Sequence, residues 1–258
     1  MKVIIDGDVL LYQAAGAKTA TTMAICIASY WRIRSQIIGN TFADEVVVCF
    51  STDGENFRKN EYPTYKFQRK VKSKPTHLSA LKEWATANDP DAVGSPNGEA
   101  DDYMFVIAAE CIAADEVHVV ASVDKDLKTM PCIYYNMREH TIQNITEGWA
   151  MSFMMQQFLT GDAVDGIKGL RGLGPKKAHA IIIGKTYEEA WDAIKGTWES
   201  RHESKEESWQ EAFNRDINLV FIRRYQEHIV TLDFAGMHWD DLRQTLGFHL
   251  QDNEIIDI

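Results

Sequence analysis

Short apolar runs alternate with longer amphipathic stretches over the first 150 residues, and then the strand-like runs stop. "KVII" (2–5), "EVVVCF" (45–50), "EVHVVAS" (116–122) and "CIYYN" (132–136) have strand length and are rich in Val, Ile and Tyr. Helical patterns occupy roughly 19–38, 76–88 and 100–114 between them. This alternation predicts an α/β fold with a mostly parallel central sheet covered by helices. Ligands of such sheets collect beyond the carboxyl ends of the strands. Acids stand there after three of the four runs: Asp6, then Asp53, then Asp124 and Asp126.

Beyond about residue 150 only helices and turns are expected. "WAMSFMMQQFLTGD" reads as a helix closing near Asp162, a glycine-rich turn follows, and Pro175 suits the first turn of the next helix. Further helical patterns cover 187–198 and 205–228. The expected organisation is a catalytic α/β core over 1–150, with a basic arch at about 56–90, and a helical region over 151–258. The acidic-apolar tail "DNEIIDI" is expected to be a frayed or packed end.

Composition narrows the picture. No apolar run approaches the eighteen or so residues of a membrane span, and no membrane partner is expected. Asp6 and Asp8 interrupt what would be the core of a signal peptide, so a cytoplasmic protein is expected. Cys26, Cys49, Cys111 and Cys132 stand singly in apolar runs and read as reduced core thiols. The net charge of −11 argues against a nucleic-acid partner only if the charge is spread evenly, and it is not. "RKNEYPTYKFQRKVKSK" (58–74) carries seven Lys/Arg against one Glu. A second basic cluster holds Lys168, Arg171, Lys176 and Lys177. The first cluster nominates Arg58, Tyr65, Lys70, Lys72 and Lys74 as contacts to a DNA backbone.

The acids near strand ends and turns are Asp6, Asp53, Glu99, Asp101, Asp102, Asp124, Asp126, Asp162 and Asp165. Residues 124 and 126 share a face in extended chain, and 99 and 102, or 162 and 165, share a helical one. Converging carboxylates without a cation would repel and hold some protons. Hard divalent cations resolve the conflict: two Mg²⁺, with Mn²⁺ as a substitute, about 4 Å apart as in-line displacement at phosphorus uses them. The eight histidines show no metal-ligand spacing.

"RGLGPKKAHAII" fits a helix-hairpin-helix at about 162–185. Gly172 and Gly174 let backbone approach a phosphate, while Arg171, Lys176, Lys177 and the first amides of the following helix bind it without reading bases.

Taken in order, "IIDGD", "FSTDGENFRK", "YKFQRK", "EADD", "SVDKDLKT" and "GDAVDGIKGLRGLGPKKA" resemble the 5′→3′ exonuclease/flap endonuclease family. That family includes the 5′-nuclease domain of DNA polymerase I and phage exonucleases, the T-seven-like ones being nearest in pattern. The resemblance covers residues 1 to about 180 and implies a 5′-nuclease/PIN-like fold. It implies one metal among Asp6, Asp53, Glu99 and Asp101, and a second among Asp124, Asp126, Asp162 and Asp165, with Asp102 close by. It places the family's catalytic cations on Lys66 and Arg69 and a K⁺ ion at the helix-hairpin-helix. Some members carry a lysine where this chain has Gln157. The implied activity is metal-dependent hydrolysis of DNA at a 5′ end, nick, gap or flap, or of RNA in an RNA–DNA hybrid, leaving 5′-phosphates. A monomer is expected in a bacterial or phage-infected cell, with replication proteins as prospective partners. Two other readings compete. "VIIDGDVLL" imitates the D-x-D strand of haloacid-dehalogenase phosphatases, and a non-catalytic DNA-binding module with a structural metal would also use the basic clusters.

Overall fold

The computed structural model describes residues 1–16, 21–53, 56–63, 65–66, 74–96, 98–204, 206–224, 232, 241 and 244–246. Arg69, Lys70, Lys72 and the acidic tail lie outside them. The chain divides into two compact units. One comprises Met1–Asn56, Lys72–Leu127 and Cys132–Asn144, the other Phe57–Val71, Lys128–Pro131 and Ile145–Ile258.

The first unit is built on a six-stranded sheet in the order β3-β2-β1-β4-β5-β6. Its strands are β1 (Lys2–Asp6), β2 (Glu45–Phe50), β3 (Ala92–Gly94), β4 (His118–Ser122), β5 (Cys132–Asn136) and β6 (Thr141–Ile145). The pairings β1–β2, β1–β4, β2–β3 and β4–β5 are all parallel. Parallel neighbours need crossovers. Helices α1 (Gly7–Gly16) and α2 (Met23–Thr41) lead from β1 to β2. Helices α3 (Phe57–Glu61) and α4 (Leu78–Asn88) lie in sequence between β2 and β3, and α5 (Ala100–Ala113) joins β3 to β4.

Alternation along the strands decides what each face packs. Val3, Ile5, Val48, Phe50, Val119 and Ala121 join Leu10, Leu11, Tyr30 and Leu81 of α1, α2 and α4 in one buried cluster. The intervening Ile4, Cys49 and Val120 are equally buried, and α5 packs against β1, β2 and β4. Both faces are therefore covered, which is why these strands read as continuous apolar runs. Truncating Ile5 or Leu10 to Ala would cost about 2–5 kcal/mol.

The second unit holds α6 (Glu147–Thr160), α7 (Pro175–Ile182), α8 (Tyr187–Arg201) and α9 (Trp209–Val220). Capping boxes start α8 (Thr186 with Glu189) and α9 (Ser208 with Glu211). Phe158 stacks on Trp198 with centroids 5.1 Å apart and meets Phe213 edge-on at 4.5 Å. No helix among the described residues is long and apolar enough to cross a membrane. All four cysteines are buried, and none forms a disulfide among the described residues.

Several expectations are revised. Helix α1 begins directly after the acid that ends β1, in a stretch for which no element was expected. Strands β3 and β6 were not expected. The first has three residues, and the second, "TIQNI", is exposed at four of its five positions, so neither carries an apolar pattern. The expected arch at 56–90 is divided, with 57–71 belonging to the helical unit and α4 packing on α1 of the core. The passage between the units near the expected boundary falls at Asn144–Ile145.

Candidate functional site

The carboxyl edge of the sheet gathers acids by hydrogen bonds that the backbone itself dictates. β1 ends at Asp6, which is 4% exposed. Its Oδ1 accepts the Val9 N–H at 2.9 Å, capping α1, and its Oδ2 accepts the Ser122 hydroxyl at 2.6 Å. Ser122 ends β4, the parallel neighbour of β1, and its Oγ accepts the Asp124 N–H at 3.0 Å. One serine thus ties the first acid to the third acidic segment. The Asp124 Oδ1 accepts the Asp126 N–H at 3.0 Å, and the Tyr134 hydroxyl donates to the Asp124 carbonyl at 2.9 Å. These two acids lie at the entry to a 3₁₀ turn, Lys125–Thr129, rather than on one face of extended chain as expected. The turn arises because the Asp124 carboxylate offers the next backbone amides a local partner.

β2 delivers the second group. The Ser51 Oγ accepts the Ala100 N–H at 3.0 Å, and the Thr52 N–H donates to the Gly98 carbonyl at 2.8 Å. These bonds anchor the start of α5 at the end of β2. Glu99 stands at the N-cap position of α5, and Asp101 and Asp102 occupy its first turn, where the helix dipole favours carboxylates. Asp102 is buried, Glu99 and Asp101 are half-buried, and Asp53 is exposed just beyond β2.

Three groups at this edge are shifted by burial and by overlapping sets of acids. Burial pushes the Asp6 carboxyl up to about 7, opposed by its bonds from Ser122 and Val9 and reinforced by the charges of Asp8 and Asp124. Burial also raises the Cys49 thiol, with Asp6, Asp101 and Asp8 adding to it. The Tyr134 hydroxyl is raised by burial, then by Asp124 and Asp6. Asp6, Asp8, Asp101, Asp124 and Asp126 are therefore within electrostatic reach of common neighbours. Asp8 was missed as a site residue. Its Oδ2 accepts the Ser51 N–H at 3.2 Å, and Lys82 Nζ lies 3.3 Å from its Oδ1. The sequence signal was the "DGD" spacing itself. Ser122 was missed because a lone serine before "VDKD" carries no pattern.

Asp162 and Asp165 belong to the second unit and do not share a helical face, contrary to expectation. Helix α6 ends at Gly161 (φ 69°), and an isolated bridge between Asp162 and Ile167 closes a turn. The Asp162 Oδ1 accepts the Val164 N–H at 2.7 Å and the Asp165 N–H at 3.3 Å. Such side-chain capping of the next amides is what Asp does in place of helix. The turn needs glycine where its ends meet: a Cβ on Gly161 would stand 2.4 Å from the Gly169 nitrogen, and one on Gly169 2.3 Å from the Gly161 nitrogen. The glycine comb thus has an internal steric reason at two of its teeth.

Lys66 is pinned to this turn. Its N–H donates to the Asp165 carbonyl at 2.8 Å, its Nζ lies 3.6 Å from Asp165 Oδ2, and its φ of 54° is left-handed. Two residues nominated as surface DNA contacts are instead interior. Tyr65 is buried with Ile167, Leu219 and Val220, its hydroxyl 3.5 Å from Asp165 Oδ2. Arg58 is 3% exposed and donates to the Phe221 carbonyl at 2.9 Å. Each sits in a basic run, yet tyrosine and a stretched arginine stem have enough apolar surface to be drawn inward. Lys74 is exposed.

At the comb, Gly174 caps α7 and Pro175 takes its first position. A Cβ on Gly172 or Gly174 would meet nothing within 4 Å, although the φ of Gly172 is 75°. Lys176 and Lys177 are exposed, Lys177 Nζ reaching the Gly172 carbonyl at 3.1 Å. Arg171 is exposed beside Glu203 at 3.4 Å. A cleft of about 190 Å³ lies alongside, lined by Tyr62, Lys168, Arg171 and Arg201 among others. Among the described residues, no three His, Cys, Asp or Glu side chains form a ready-made metal-binding group.

The first unit is a helix-covered, mostly parallel α/β sheet with acids at its carboxyl edge, and the second is helical with a basic glycine turn. A family model for the 5′-3′ exonuclease, N-terminal resolvase-like domain matches residues 1–149, and the chain belongs to that family. It is 22% identical over 209 residues to a 5′-3′ exonuclease of Mycoplasmopsis pulmonis, covering 75% of this chain and 70% of that one. It is 28% identical over 148 residues to the flap endonuclease Xni of Shewanella sp. strain MR-4 (53% of this chain, 56% of the relative). The chain spans only 15% of a matching DNA polymerase I of Rhizobium leguminosarum, at 26% identity over 148 residues. In fold it is similar to the bacteriophage T5 D15 flap endonuclease in a pseudo-enzyme-product complex with DNA and metal ions. The TM-score is 0.66 at 18% identity, with 85% of this chain and 88% of that one covered. The catalytic core of Rad2 in complex with DNA substrate follows at 0.51 and 14% identity, covering 82% and 67%.

Proposed function

We propose that this chain is a divalent-metal-dependent 5′-nuclease that hydrolyses DNA at a 5′ end, nick, gap or flap and leaves 5′-phosphates. The observation that carries the reading is the acid edge of a chain whose residues 1–149 match the exonuclease family model. Asp6, Asp8, Asp101, Asp124 and Asp126 each act by charge on one or more of three groups there, Asp6, Cys49 and Tyr134.

The donor chemistry fits hard cations. The groups at the edge are carboxylates and hydroxyls, and the nearby Cys49 is held as a neutral thiol by burial. Asp6, Asp53, Glu99, Asp101, Asp102, Asp124 and Asp126 would hold Mg²⁺, and Asp162 and Asp165 are assigned a ligand role on the resemblance alone. Bound there, two such ions would lower the pKa of water and neutralise charge at phosphorus. The chain's own residues do the rest. Ser122 fixes the orientation of the Asp6 and Asp124 segments together. Lys66, held by its backbone bond to Asp165, presents a cation for the scissile phosphate. Gly172, Gly174, Lys176, Lys177 and Arg171 take the phosphate backbone at the start of α7 without base readout, and K⁺ bound at this turn would bridge to it. Arg69 is assigned the same role as Lys66 on the resemblance alone.

The phosphatase reading leaves the acids at the start of α5, the Asp124–Asp126 segment and the basic glycine turn without a role. The test uses 5′-flapped, nicked and blunt duplexes labelled at either end, with Mg²⁺ or EDTA. Cleavage in Mg²⁺ to 5′-phosphate products, lost in EDTA and in Asp124→Asn, is expected. Metal-independent cleavage, or activity only on phosphate monoesters, would sink the reading.

A further inference from the structure

At the opposite edge of the sheet, where the strands begin, the surface has a different character. Helix α2 ends in Phe42, whose φ of 55° and ψ of 31° are left-handed. Glycine or asparagine is the usual residue there, because a side chain with a bulky Cβ is strained. Phe42 is nevertheless 85% exposed, so it gains neither conformationally nor by burial. A residue that is strained and unburied in the free protein points to a contact made elsewhere.

Neighbouring segments extend the patch. The Asp44 N–H donates to the Met1 carbonyl at 3.1 Å, and the Lys2 N–H donates to the Val117 carbonyl at 3.2 Å. These bonds place the entry to β2, which follows Phe42, and the entry to β4 on either side of β1. Strands spaced 4.7–4.9 Å apart put those entries about 10 Å apart. Val117 is 59% exposed there, and Ile112, at the end of α5, is also exposed. Around these apolar groups stand Asp44, Glu45, Asp115 and Glu116, all exposed. Lys2 is shared between Glu45 and Glu116 at 3.6 Å each.

We propose that this amino edge docks another protein through a segment that presents apolar side chains flanked by Lys or Arg. The four carboxylates outnumber the two cations paired with them, Lys2 and the Met1 ammonium, and that excess disfavours nucleic acid and anionic lipid by charge. It also disfavours a two-fold contact with a second copy, because an isologous interface would set the same acids against each other. A cationic apolar segment satisfies both halves of the patch, with Phe42 as its anchor. The edge lies across the sheet from the acids of the carboxyl edge, so occupancy leaves those acids accessible.

The probe is a fluorescein-labelled, eighteen-residue Lys/Leu helical peptide, with a Glu/Leu peptide of the same spacing as control. Fluorescence anisotropy should show Lys/Leu binding that Phe42→Gly weakens at least tenfold. Asp44→Asn with Glu116→Asn should weaken it and flatten its salt dependence. The melting temperature of Phe42→Gly should not fall, since glycine relieves the left-handed strain, and its DNA cleavage in Mg²⁺ should match wild type. Unchanged peptide binding in Phe42→Gly, or equal binding of the Glu/Leu peptide, would overturn the proposal. A drop in melting temperature would make Phe42 a structural residue instead. A concentration-dependent dimer abolished by Phe42→Gly would assign the edge to a second copy.

Discussion

Replacing Asp6 by Asn tests whether the acid edge carries a built-in electrostatic cost. In the metal-free protein the Asp6 carboxyl rises from 3.8 to about 7, with burial as the first cause and Asp8 and Asp124 adding repulsion. A raised folded-state value means that between about pH 4 and 7 the folded chain keeps a proton that the unfolded chain has released. Stability therefore falls as pH rises through that window, and the loss is complete above it. The full difference corresponds to about 4 kcal/mol, which is a ceiling, because neighbouring acids and water relax. About half of it, ~2 kcal/mol, is a working value, equivalent to a rise of roughly 4–8 °C in melting temperature for a chain of this size. Asn carries no charge, but its amide nitrogen cannot accept as the second Asp6 oxygen does, so it should recover part of that amount at pH 8 and none at pH 3.5. Thermal melts in EDTA across pH 3.5–8.5 measure it directly. Adding Mg²⁺ should stabilise wild type more than the variant and narrow or reverse the gap, since only wild type keeps the full ligand set. An Asn variant no more stable than wild type at pH 8, or one offset by the same amount at every pH, would refute the argument.

Gly161→Ala should destabilise the protein by about 3 kcal/mol or more, since its Cβ meets backbone at 2.4 Å in a left-handed residue. Gly174→Ala, at an N-cap where glycine is preferred to alanine, should cost about 1 kcal/mol or less and yet weaken duplex binding, because its surroundings are open in the free protein. Chemical denaturation and anisotropy with labelled duplex separate the two, and a Gly174→Ala protein that binds normally removes that position from the phosphate contact. Lys66→Ala should lower kcat by about 10²–10³ with a smaller loss in binding; single-turnover kinetics against binding in Ca²⁺ reads the split, and equal losses would make it a steering charge. Lys176→Ala with Lys177→Ala should reduce the slope of log K against log salt by about 0.9 per lost phosphate contact. An unchanged slope would leave the hairpin as a turn.

How much of this was legible in the sequence depends on whether a feature rests on periodicity or on local bonding. The parallel core was legible because strands covered on both faces must be apolar throughout, as β1, β2 and β4 are. Asp6, Asp53, Asp124 and Asp126 were legible together for a related reason, since they follow strands whose carboxyl ends share one edge. What the sequence misplaced was side-chain direction at turns. Asp162 with Asp165, and Asp124 with Asp126, have helical and extended spacing respectively, but in both pairs the first carboxylate bonds the amides that follow it. Spacing rules presume a regular backbone, and an aspartate that caps its own turn removes that presumption. Tyr65 and Arg58 failed differently: charge density marks a surface run, while burial is decided residue by residue by what lies opposite. The same reasoning separates the two kinds of glycine in the comb. Gly161 and Gly169 are required by backbone touching backbone inside the turn, whereas Gly174 has open space and an ordinary φ. A glycine that its own fold does not require is where an outside phosphate has room to approach, and no count of glycines along the chain could have told the two apart.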